Sequence, residues 1–306
     1  MFYLISIINQ IINSLVKIFL EIFIFDKKIR RILKGNWAKF YIKPYVNKTY
    51  CTLSEDDNNL CKSKRVIWQY WECEDNKTPP IVKACMNSVE QNKGDWERIV
   101  ITPDNMSKYV KIPDIFLKLK NKGIIKTAFF SDILRTCLLL QNGGIWIDAT
   151  VLLTEKLPDY ISELDFFVFK NNLSVDLDGL NMASYFIVAK KNNFILEQTL
   201  RALTFYWEKN NFLVNYFLFL HTFTLVTQKN QINKNYFKQI PFFSFIPVQM
   251  FQDELLNEYS HERWEEIKRI SGIHKLSYKK NVLARKKEFI TQGTFYEFIL
   301  KEYKGV

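Results

Sequence analysis

The sequence contains few of the residues that break or cross-link a chain. Its 306 residues include only 9 Gly, 8 Pro and 5 Cys. With so little Gly and Pro, we expect neither a low-complexity linker nor a collagen-like repeat. The cysteines are odd in number, contain no Cys-x-x-Cys pair, and have spacings that fit neither a zinc site nor a disulfide framework. We therefore expect free thiols in a reducing cytoplasm.

Hydrophobic residues and positive charge are abundant. Hydrophobic residues make up 48% of the chain, which is enough for one large domain with a terminal appendage. The net charge is +11. Much of this excess lies between residues 26 and 48, where Asp26 is the only acid among many Lys and Arg residues. Such a stretch attracts nucleic acid and anionic lipid alike, but the chain contains no recognised nucleic-acid-binding motif.

The first 25 residues are rich in Ile, Leu and Phe, interrupted by polar residues at helical spacing. On a helix these would form a narrow polar stripe of Ser6, Asn9, Gln10, Asn13, Ser14, Lys17 and Glu21. The pattern favours a helix lying in the membrane surface, with the basic stretch after it contacting anionic headgroups. Packing on the protein's own core or on a partner subunit, and a true membrane span, are the alternatives.

Beyond a polar linker at 49–64, apolar runs alternate with helical patterns. The sequence predicts strands at 65–71, 96–102, 145–147, 166–169 and 185–189. It predicts helices at 80–92, 113–122, 126–141, 193–209, 211–229, 250–258, 260–270 and 290–303. This alternation indicates an α/β fold of the nucleotide-binding kind, in which ligands bind at the carboxyl ends of strands.

One stretch carries most of the candidate chemistry. Asp132 and Arg135 lie three residues apart on one predicted helix and so share a face. The turn at Gly143 and Gly144 leads into a short strand that ends at Asp148. Two carboxylates and a guanidinium therefore could meet where a strand ends, as a nucleoside diphosphate-sugar and a divalent cation would require. A helix ion pair and an ordinary turn would explain the same residues.

The pattern Ser-Asp-x-x-Arg followed by Gly-Gly-x-x-x-Asp-x-Thr resembles retaining glycosyltransferases of the GT-A fold. These include the initiating α-mannosyltransferase-like group and the clostridial glucosylating toxins. The closest resemblance is to the bacterial capsular polysaccharide synthesis proteins, and it extends from about Val66 to Lys280. It implies an α/β, GT-A-type (Rossmann-like) nucleotide-sugar-binding domain with an N-terminal amphipathic helix and helical C-terminal additions. The expected units are a membrane-associating segment at 1–48, the linker, the catalytic domain at 65–285 and a C-terminal helix at 286–306.

The resemblance also implies roles for individual residues. Asp132 and Asp148 would be catalytic. The donor, a UDP-sugar by expectation, would be bound by Trp68, Gln69, Asp132, Arg135, Gly144, Asp148, Lys275 and Lys279. Mn²⁺ or Mg²⁺ would be held by Asp148, Thr150 and His274, although Thr150 replaces the second acid of Asp-x-Asp and is a poorer ligand. Asp176 and Asp178 form a rival Asp-x-Asp in a polar loop.

The expected protein is thus a hexosyltransferase at the cytoplasmic face of the cell membrane. Its acceptor would be a saccharide, lipid-linked if the N-terminal helix holds the cleft beside the membrane, and nucleic acid is not an expected partner. The replacement of an acid by Thr150 leaves open a non-catalytic nucleotide-sugar or carbohydrate-binding protein.

Overall fold

The computed structural model describes residues 2–50, 65–72, 75–171, 179–279, 282 and 290–304. Among these residues five strands form one mixed sheet in the order β2-β1-β3-β6-β5. Its strands are β1 Val66–Tyr70, β2 Glu97–Ile101, β3 Gly144–Ile147, β5 Phe166–Lys170 and β6 Met182–Ala189. β1 runs parallel to β2 and β3, whereas β6 runs antiparallel to β3 and β5. The carboxyl ends of β1 and β3 therefore lie at the same edge of the sheet.

A second, two-stranded sheet was not predicted. It pairs β4 Val151–Leu153 with β7 Ile273–Lys275 in antiparallel register, with Leu152 opposite His274 and Val151 opposite Lys275. Because β4 begins three residues after Asp148, this pairing brings a distant part of the chain beside the end of β3.

Helices surround the large sheet. They are α3 Pro80–Asn92, α4 Met106–Tyr109, α5 Asp114–Asn121, α6 Thr127–Asn142, α7 Phe194–Lys209, α8 Leu218–Gln228, α9 Gln231–Gln239, α10 Ile246–Glu254, α11 His261–Ile270 and α12 Phe295–Glu302. The predicted α/β class is confirmed. The prediction missed α9, whose sequence is largely polar, and began the helix before it at 211 instead of Leu218. It also placed α10 about four residues too late, although Pro247 in its first turn favours the earlier start.

Two helices precede the sheet, α1 at Phe2–Phe23 and α2 at Lys27–Asn47. Asp26 caps α2, because its carboxylate accepts hydrogen bonds from the backbone N–H groups of Lys28 (2.7 Å) and Ile29 (3.0 Å). Buried residues of α2, including Ala38, Ile42 and Val46, pack on α7 and α8. The basic stretch is thus held against the main body by one face of its helix. The predicted linker, apart from Thr49 and Tyr50, lies outside the described residues.

Part of the polar stripe of α1 faces the protein, whereas Gln10, Ser14 and Glu21 are exposed. Ser6 donates a hydrogen bond to the side-chain oxygen of Asn211 (2.8 Å), and Asn13 accepts one from the indole of Trp37 (3.0 Å). The apolar side is exposed and includes Ile8, Ile11, Ile12, Leu15, Ile18, Phe19, Ile22 and Phe23. By length and composition Ile5–Phe23 could cross a membrane, and only 17% of this stretch is buried. α1 therefore presents to the outside the surface that soluble proteins usually cover.

Two glycines make the turn between α6 and β3. Gly143 has φ +70° and ends the helix, and its N–H donates to the carbonyl of Leu139 (2.9 Å). Gly144 has φ +101°, and a Cβ there would lie 2.5 Å from the carbonyl oxygen of Val66. Glycine is therefore required for β3 to lie against β1, and this packing fixes where Asp148 emerges.

Candidate active site

A cavity of about 1180 Å³ opens at the carboxyl ends of β1 and β3. Its walls come from the residues that follow these two strands, from the exposed side of α6, from the start of β6 and from β7 with the residues after it. The lining residues include Tyr70, Trp71, Glu72, Ser131, Asp132, Arg135, Trp146, Asp148, Thr150, Ser184, Tyr185, Lys275, Tyr278 and Lys279. The cavity thus lies where ligands bind in α/β sheets of this kind.

Arg135 joins the two carboxylates that the motif predicts. Its Nη2 lies 3.4 Å from Oδ1 of Asp132 and 3.2 Å from Oδ1 of Asp148. The guanidinium is fixed by hydrogen bonds to the backbone carbonyl of Ser131 (3.2 Å) and to that of Ser184, and it lies 4.9 Å from the centre of the Trp146 ring. The expected convergence of the three side chains is present in the structure.

Asp148 accepts hydrogen bonds on both of its carboxylate oxygens. Its Oδ1 accepts a hydrogen bond from the indole of Trp146 (2.8 Å), and its Oδ2 accepts one from the ammonium of Lys275 (2.9 Å). Burial alone would raise the pKa of Asp148, but the charges of Lys275 and Arg135 outweigh it and hold the pKa at about 2. Asp148 is therefore ionised at any physiological pH.

Asp132 has the opposite electrostatic environment. Burial raises its pKa to about 7, because the lowering effect of Arg135 does not compensate and the nearby charge of Asp148 adds to the rise. Two carboxylates that share one guanidinium thus have pKa values pushed far apart. Perturbation of this kind is typical of functional sites, although structural ion pairs also produce it.

The residues expected to bind a metal do not form a metal-binding set. Lys275 donates to Oδ2 of Asp148 and also to the hydroxyl of Thr150, so one ammonium group is bonded to two of the three expected metal ligands. Among the described residues there is no group of three or more His, Cys, Asp or Glu side chains that could hold a metal ion. The rival residues Asp176 and Asp178 lie outside the described part of the chain. The described side chains therefore do not fit the metal that the resemblance implied.

His274 lies on the other side of β7 from the cavity. It is 1% exposed, and its ring centre is 5.3 Å from that of Phe251. Burial lowers the pKa of its imidazole to about 4, so the ring is neutral at physiological pH. Successive residues of a strand point to opposite faces, so when Lys275 faces the cavity His274 cannot. The structure places His274 in the core, away from the cavity, and its expected role as a metal ligand stays a prediction that no described contact supports.

Trp68 and Gln69 also lie away from the cavity. Trp68 is 3% exposed, and its indole donates to the carbonyl of Gly143 (2.8 Å). Gln69 is fully buried and accepts a hydrogen bond from Arg98 (2.8 Å). Both belong to the interior of β1, whose residues are all buried. Neither these two residues nor Gly144, where β3 packs on β1, is among the residues that line the cavity, and their expected role in binding the donor stays a prediction.

Three polar groups that the sequence did not single out line the cavity without a hydrogen-bond partner among the described residues, and one of them is the indole nitrogen of Trp207. The indole nitrogen of Trp71 and the hydroxyl of Tyr185 are buried, and neither has a hydrogen-bond partner among the residues that the structure describes. Buried polar groups are nearly always hydrogen-bonded, so unpaired ones in a cavity suit a polar ligand. Trp71 directly follows β1, and its position at the end of the predicted strand 65–71 was the signal that could have found it.

Lys279 lines the cavity as expected, near the exposed ring of Tyr278. Together with Lys275 and Arg135 it belongs to a set of cationic residues that line the cavity, which also includes Arg31, Lys77 and Lys126. An α/β sheet with cations, carboxylates and unpaired donors at its strand ends is suited to an anionic, hydroxyl-rich ligand.

The chain belongs to the capsular polysaccharide synthesis proteins, because the sequence profile of that family matches residues 20–299. The resemblance drawn from the motifs is thereby confirmed, and membership supports the expected class of glycosyltransferase. No individual curated protein matches the sequence.

Two solved structures illustrate the structural likeness. The PaToxG glycosyltransferase is 16% identical with a TM-score of 0.37, and the match covers 79% of this chain and 95% of that one. The apo structure of the bifunctional glycosyltransferase WbbM is 10% identical with a TM-score of 0.45, and the match covers 81% of this chain and 51% of that one.

Proposed function

We propose that the protein is a retaining hexosyltransferase of the GT-A type, which transfers a sugar from a UDP-sugar to a saccharide during synthesis of a capsular or other surface polysaccharide. The observation that carries the proposal is the convergence of Asp132, Arg135, Asp148 and Lys275 on one large cavity in a member of this family. The cavity offers cations for a diphosphate, and carboxylates and unpaired donors for hydroxyl groups.

The donor diphosphate is expected to bind beside Lys275 and Lys279. Lys275 is the cation closest to Asp148, and its ammonium has three donors, so it can release one contact to bind a phosphate oxygen. Asp132 and Arg135, on the neighbouring wall, would bind hydroxyl groups of the donor sugar and ribose. The indole N–H of Trp71 and the hydroxyl of Tyr185 supply further partners for the nucleotide or the sugar.

In a retaining reaction at this site the bond between the sugar's anomeric carbon and the diphosphate breaks, and its electron pair goes to the departing phosphate oxygen. The acceptor hydroxyl attacks from the same face, and its proton passes to that phosphate oxygen. No protein nucleophile is needed. Catalysis then consists of positioning and of stabilising the charge on the leaving group, for which Lys275 is the best placed side chain.

The expected Mn²⁺ or Mg²⁺ would supply positive charge to the leaving diphosphate when bound. The described residues give it one carboxylate, Asp148, whose oxygens already accept hydrogen bonds from Trp146 and Lys275. We therefore assign the charge-stabilising role to Lys275, with Thr150 and Asp148 holding its ammonium in place.

The exposed apolar face of α1 supports an acceptor that is held at a membrane. We propose that α1 lies in the surface of the cytoplasmic leaflet, with Ser6 and Asn13 of its polar stripe on the protein and its apolar face among the lipid chains. The cationic side chains that follow it suit an anionic surface. Such an arrangement would hold the cavity beside a lipid-linked saccharide.

The donor assignment is tested by thermal unfolding with UDP-, GDP- and CMP-sugars, each with and without Mn²⁺. A ligand that binds only the folded protein stabilises it by about 2.7 kcal/mol at a hundred times its Kd. We expect a UDP-sugar to raise the unfolding temperature of the wild-type protein and not that of Lys275→Met. Stabilisation by carbohydrate alone, with none by any nucleotide sugar, would favour a carbohydrate-binding protein.

The membrane assignment is tested by substitutions on the outer face of α1. Ile11 and Leu15 are exposed and lie one turn apart. The double variant Ile11→Gln with Leu15→Gln should bind anionic vesicles at least ~10-fold more weakly, since each apolar side chain contributes roughly 1.5–3 kcal/mol when buried. The control is Ile232→Gln with Ile290→Gln, two exposed apolar residues elsewhere. Equal loss in both variants would contradict the assignment.

A further inference from the structure

A second cavity, separate from the one at the strand ends, lies between α1, α2 and residues 214–217. It measures about 590 Å³. We call it the basic pocket, because the described residues of its walls include five cationic side chains and a single carboxylate, that of Glu21; the cations are Lys17, Lys27, Arg30, Arg31 and Lys34. They come from two helices and converge there only because α1 folds back on α2.

Among the described residues that line the basic pocket, Glu21 is the one acid that offsets the charges of Lys17, Lys27, Arg30 and Lys34. Glu21 binds both Arg30 and Lys34, so its one negative charge is shared between two cations. Burial lowers the pKa of the Lys17 ammonium, and the positive charge of Lys34 lowers it further. Like charges held this close repel one another, and an anion with more than one negative charge would relieve the repulsion.

The basic pocket adjoins an apolar surface. Leu20 and Trp37 form part of its wall, and the outer face of α1 carries the exposed rings of Phe19 and Phe23 at the same end of the helix. Phe25, in the break between the two helices, is 87% exposed. A ligand with an anionic head and a hydrocarbon tail would match both surfaces.

The basic pocket also borders the cavity of the candidate active site. Arg31, Tyr216 and Phe217 line both cavities. A molecule anchored by its phosphate in the basic pocket could therefore extend a sugar past these three residues toward the donor.

We propose that the basic pocket binds the diphosphate of a lipid-linked saccharide acceptor, with the lipid chain along the outer face of α1 and the sugar directed into the active-site cavity. The role as acceptor site rests on the proposed glycosyl transfer. Binding of the lipid diphosphate to the basic pocket is independent of that proposed function, because it requires neither donor nor catalysis.

Binding is measured with the full-length protein and three probes. The first is phosphatidylcholine vesicles that contain a long-chain prenyl diphosphate. The second is phosphatidylcholine vesicles with enough phosphatidylglycerol to give the same surface charge. The third is inorganic diphosphate, added as a competitor. We expect the prenyl diphosphate vesicles to bind most tightly, because only they offer a clustered double charge on a hydrocarbon tail.

The test variant is Lys17→Gln with Lys27→Gln, which removes two cations of the basic pocket and keeps polar side chains. The control is Lys234→Gln with Lys238→Gln, which removes the same charge from exposed positions on α9. We expect the test variant to bind prenyl diphosphate vesicles about 10- to 30-fold more weakly, and the control to change little. Unfolding temperatures check that both variants are folded.

Three results would overturn the proposal. Equal weakening in both variants would mean that only overall charge matters. Equal affinity for phosphatidylglycerol vesicles would mean that α1 and α2 bind any anionic surface. Complete displacement by inorganic diphosphate at concentrations equal to those of the prenyl lipid would mean that the pocket takes a soluble phosphate. Release of UDP from a UDP-sugar by the same variants reports separately on the proposed catalytic function.

Discussion

The ammonium of Lys275 lies 2.9 Å from Oδ2 of Asp148, and it also donates a hydrogen bond to the hydroxyl of Thr150. The two residues that the motif assigns to a divalent cation thus bind a lysine instead. An ammonium is fixed to the chain and carries one charge, so it can stabilise a leaving diphosphate without being taken up from solution. This pairing leads to the first two predictions.

Chelation should have little effect on the enzyme. If Lys275 supplies the charge that stabilises the leaving group, transfer from a UDP-sugar should continue in EDTA at a rate within about twofold of the untreated protein. The measurement is UDP release in EDTA, and again after Mn²⁺ is returned in excess. Activity that disappears in EDTA and returns with Mn²⁺ would contradict the role given to Lys275.

Neighbouring substitutions on β7 should have very different effects. Lys275→Met removes the cation beside Asp148 and should lower kcat by about 10²–10³-fold, the usual effect of losing one preorganised charge-stabilising group. His274→Leu replaces a buried ring on the opposite face and should leave kcat within a few-fold. Rates are compared at a temperature where both variants are folded. If His274→Leu lowered kcat more than Lys275→Met does, His274 would belong to the active site and the account would be contradicted.

Stability should depend on pH through Asp132. Burial raises the pKa of this carboxyl to about 7, whereas an unfolded Asp titrates near about 3.9. Between these values the folded state holds a proton that the unfolded state has released, so the free energy of unfolding falls as pH rises. Asp132→Asn has no carboxyl group that could bind or release this proton, so this pH dependence is absent from its stability. Between pH 5 and pH 8 the free energy of unfolding, measured with urea, should fall by on the order of 2 kcal/mol more in the wild-type protein than in the variant. If the free energies of unfolding of the two proteins changed with pH in parallel, the pKa of Asp132 would not be raised and the prediction would be wrong.

Gly144→Ala should destabilise the fold. The added Cβ would lie 2.5 Å from the carbonyl oxygen of Val66, and the backbone has φ +101°. We expect a loss of about 2–4 kcal/mol in the free energy of unfolding. Gly94 is the control, since it also has positive φ but has no atom within 4 Å of a built Cβ, and Gly94→Ala should lose only about 1–2 kcal/mol. Equal losses would mean that the contact with β1 is unimportant.

The sequence was sufficient for the α/β class and for the cluster of Asp132, Arg135 and Asp148. These three residues lie within a single helix–turn–strand unit, so local periodicity and the Gly-Gly turn determine their meeting. Lys275 was expected at the donor, but its contact with Asp148 depends on the pairing of β4 with β7, which joins segments over a hundred residues apart. Pairing between strands that are far apart in the chain is difficult to predict from local sequence patterns.

Three residues expected at the site lie away from the cavity, and one cause accounts for all three. Trp68, Gln69 and His274 were chosen by motif position, without regard to which face of a strand each side chain occupies. Alternation along β7 allows only one of His274 and Lys275 to face the cavity, and β1 is buried on both faces. For α1 the polar stripe was predicted, but its direction was not, because that is determined by hydrogen bonds such as that of Ser6 with Asn211.

The central claim is that Asp148 helps to bind and activate a nucleotide-sugar donor. It is tested most directly by the rate at which the wild-type protein and Asp148→Asn release UDP from a UDP-sugar, with folding verified by unfolding temperature. The asparagine keeps the shape of the side chain but loses the charge that holds Lys275 and Arg135. We expect wild-type release, and a rate at least ~10²-fold lower in the variant. Equal rates in the two proteins, or no release by the wild-type protein from any nucleotide sugar, would contradict the account.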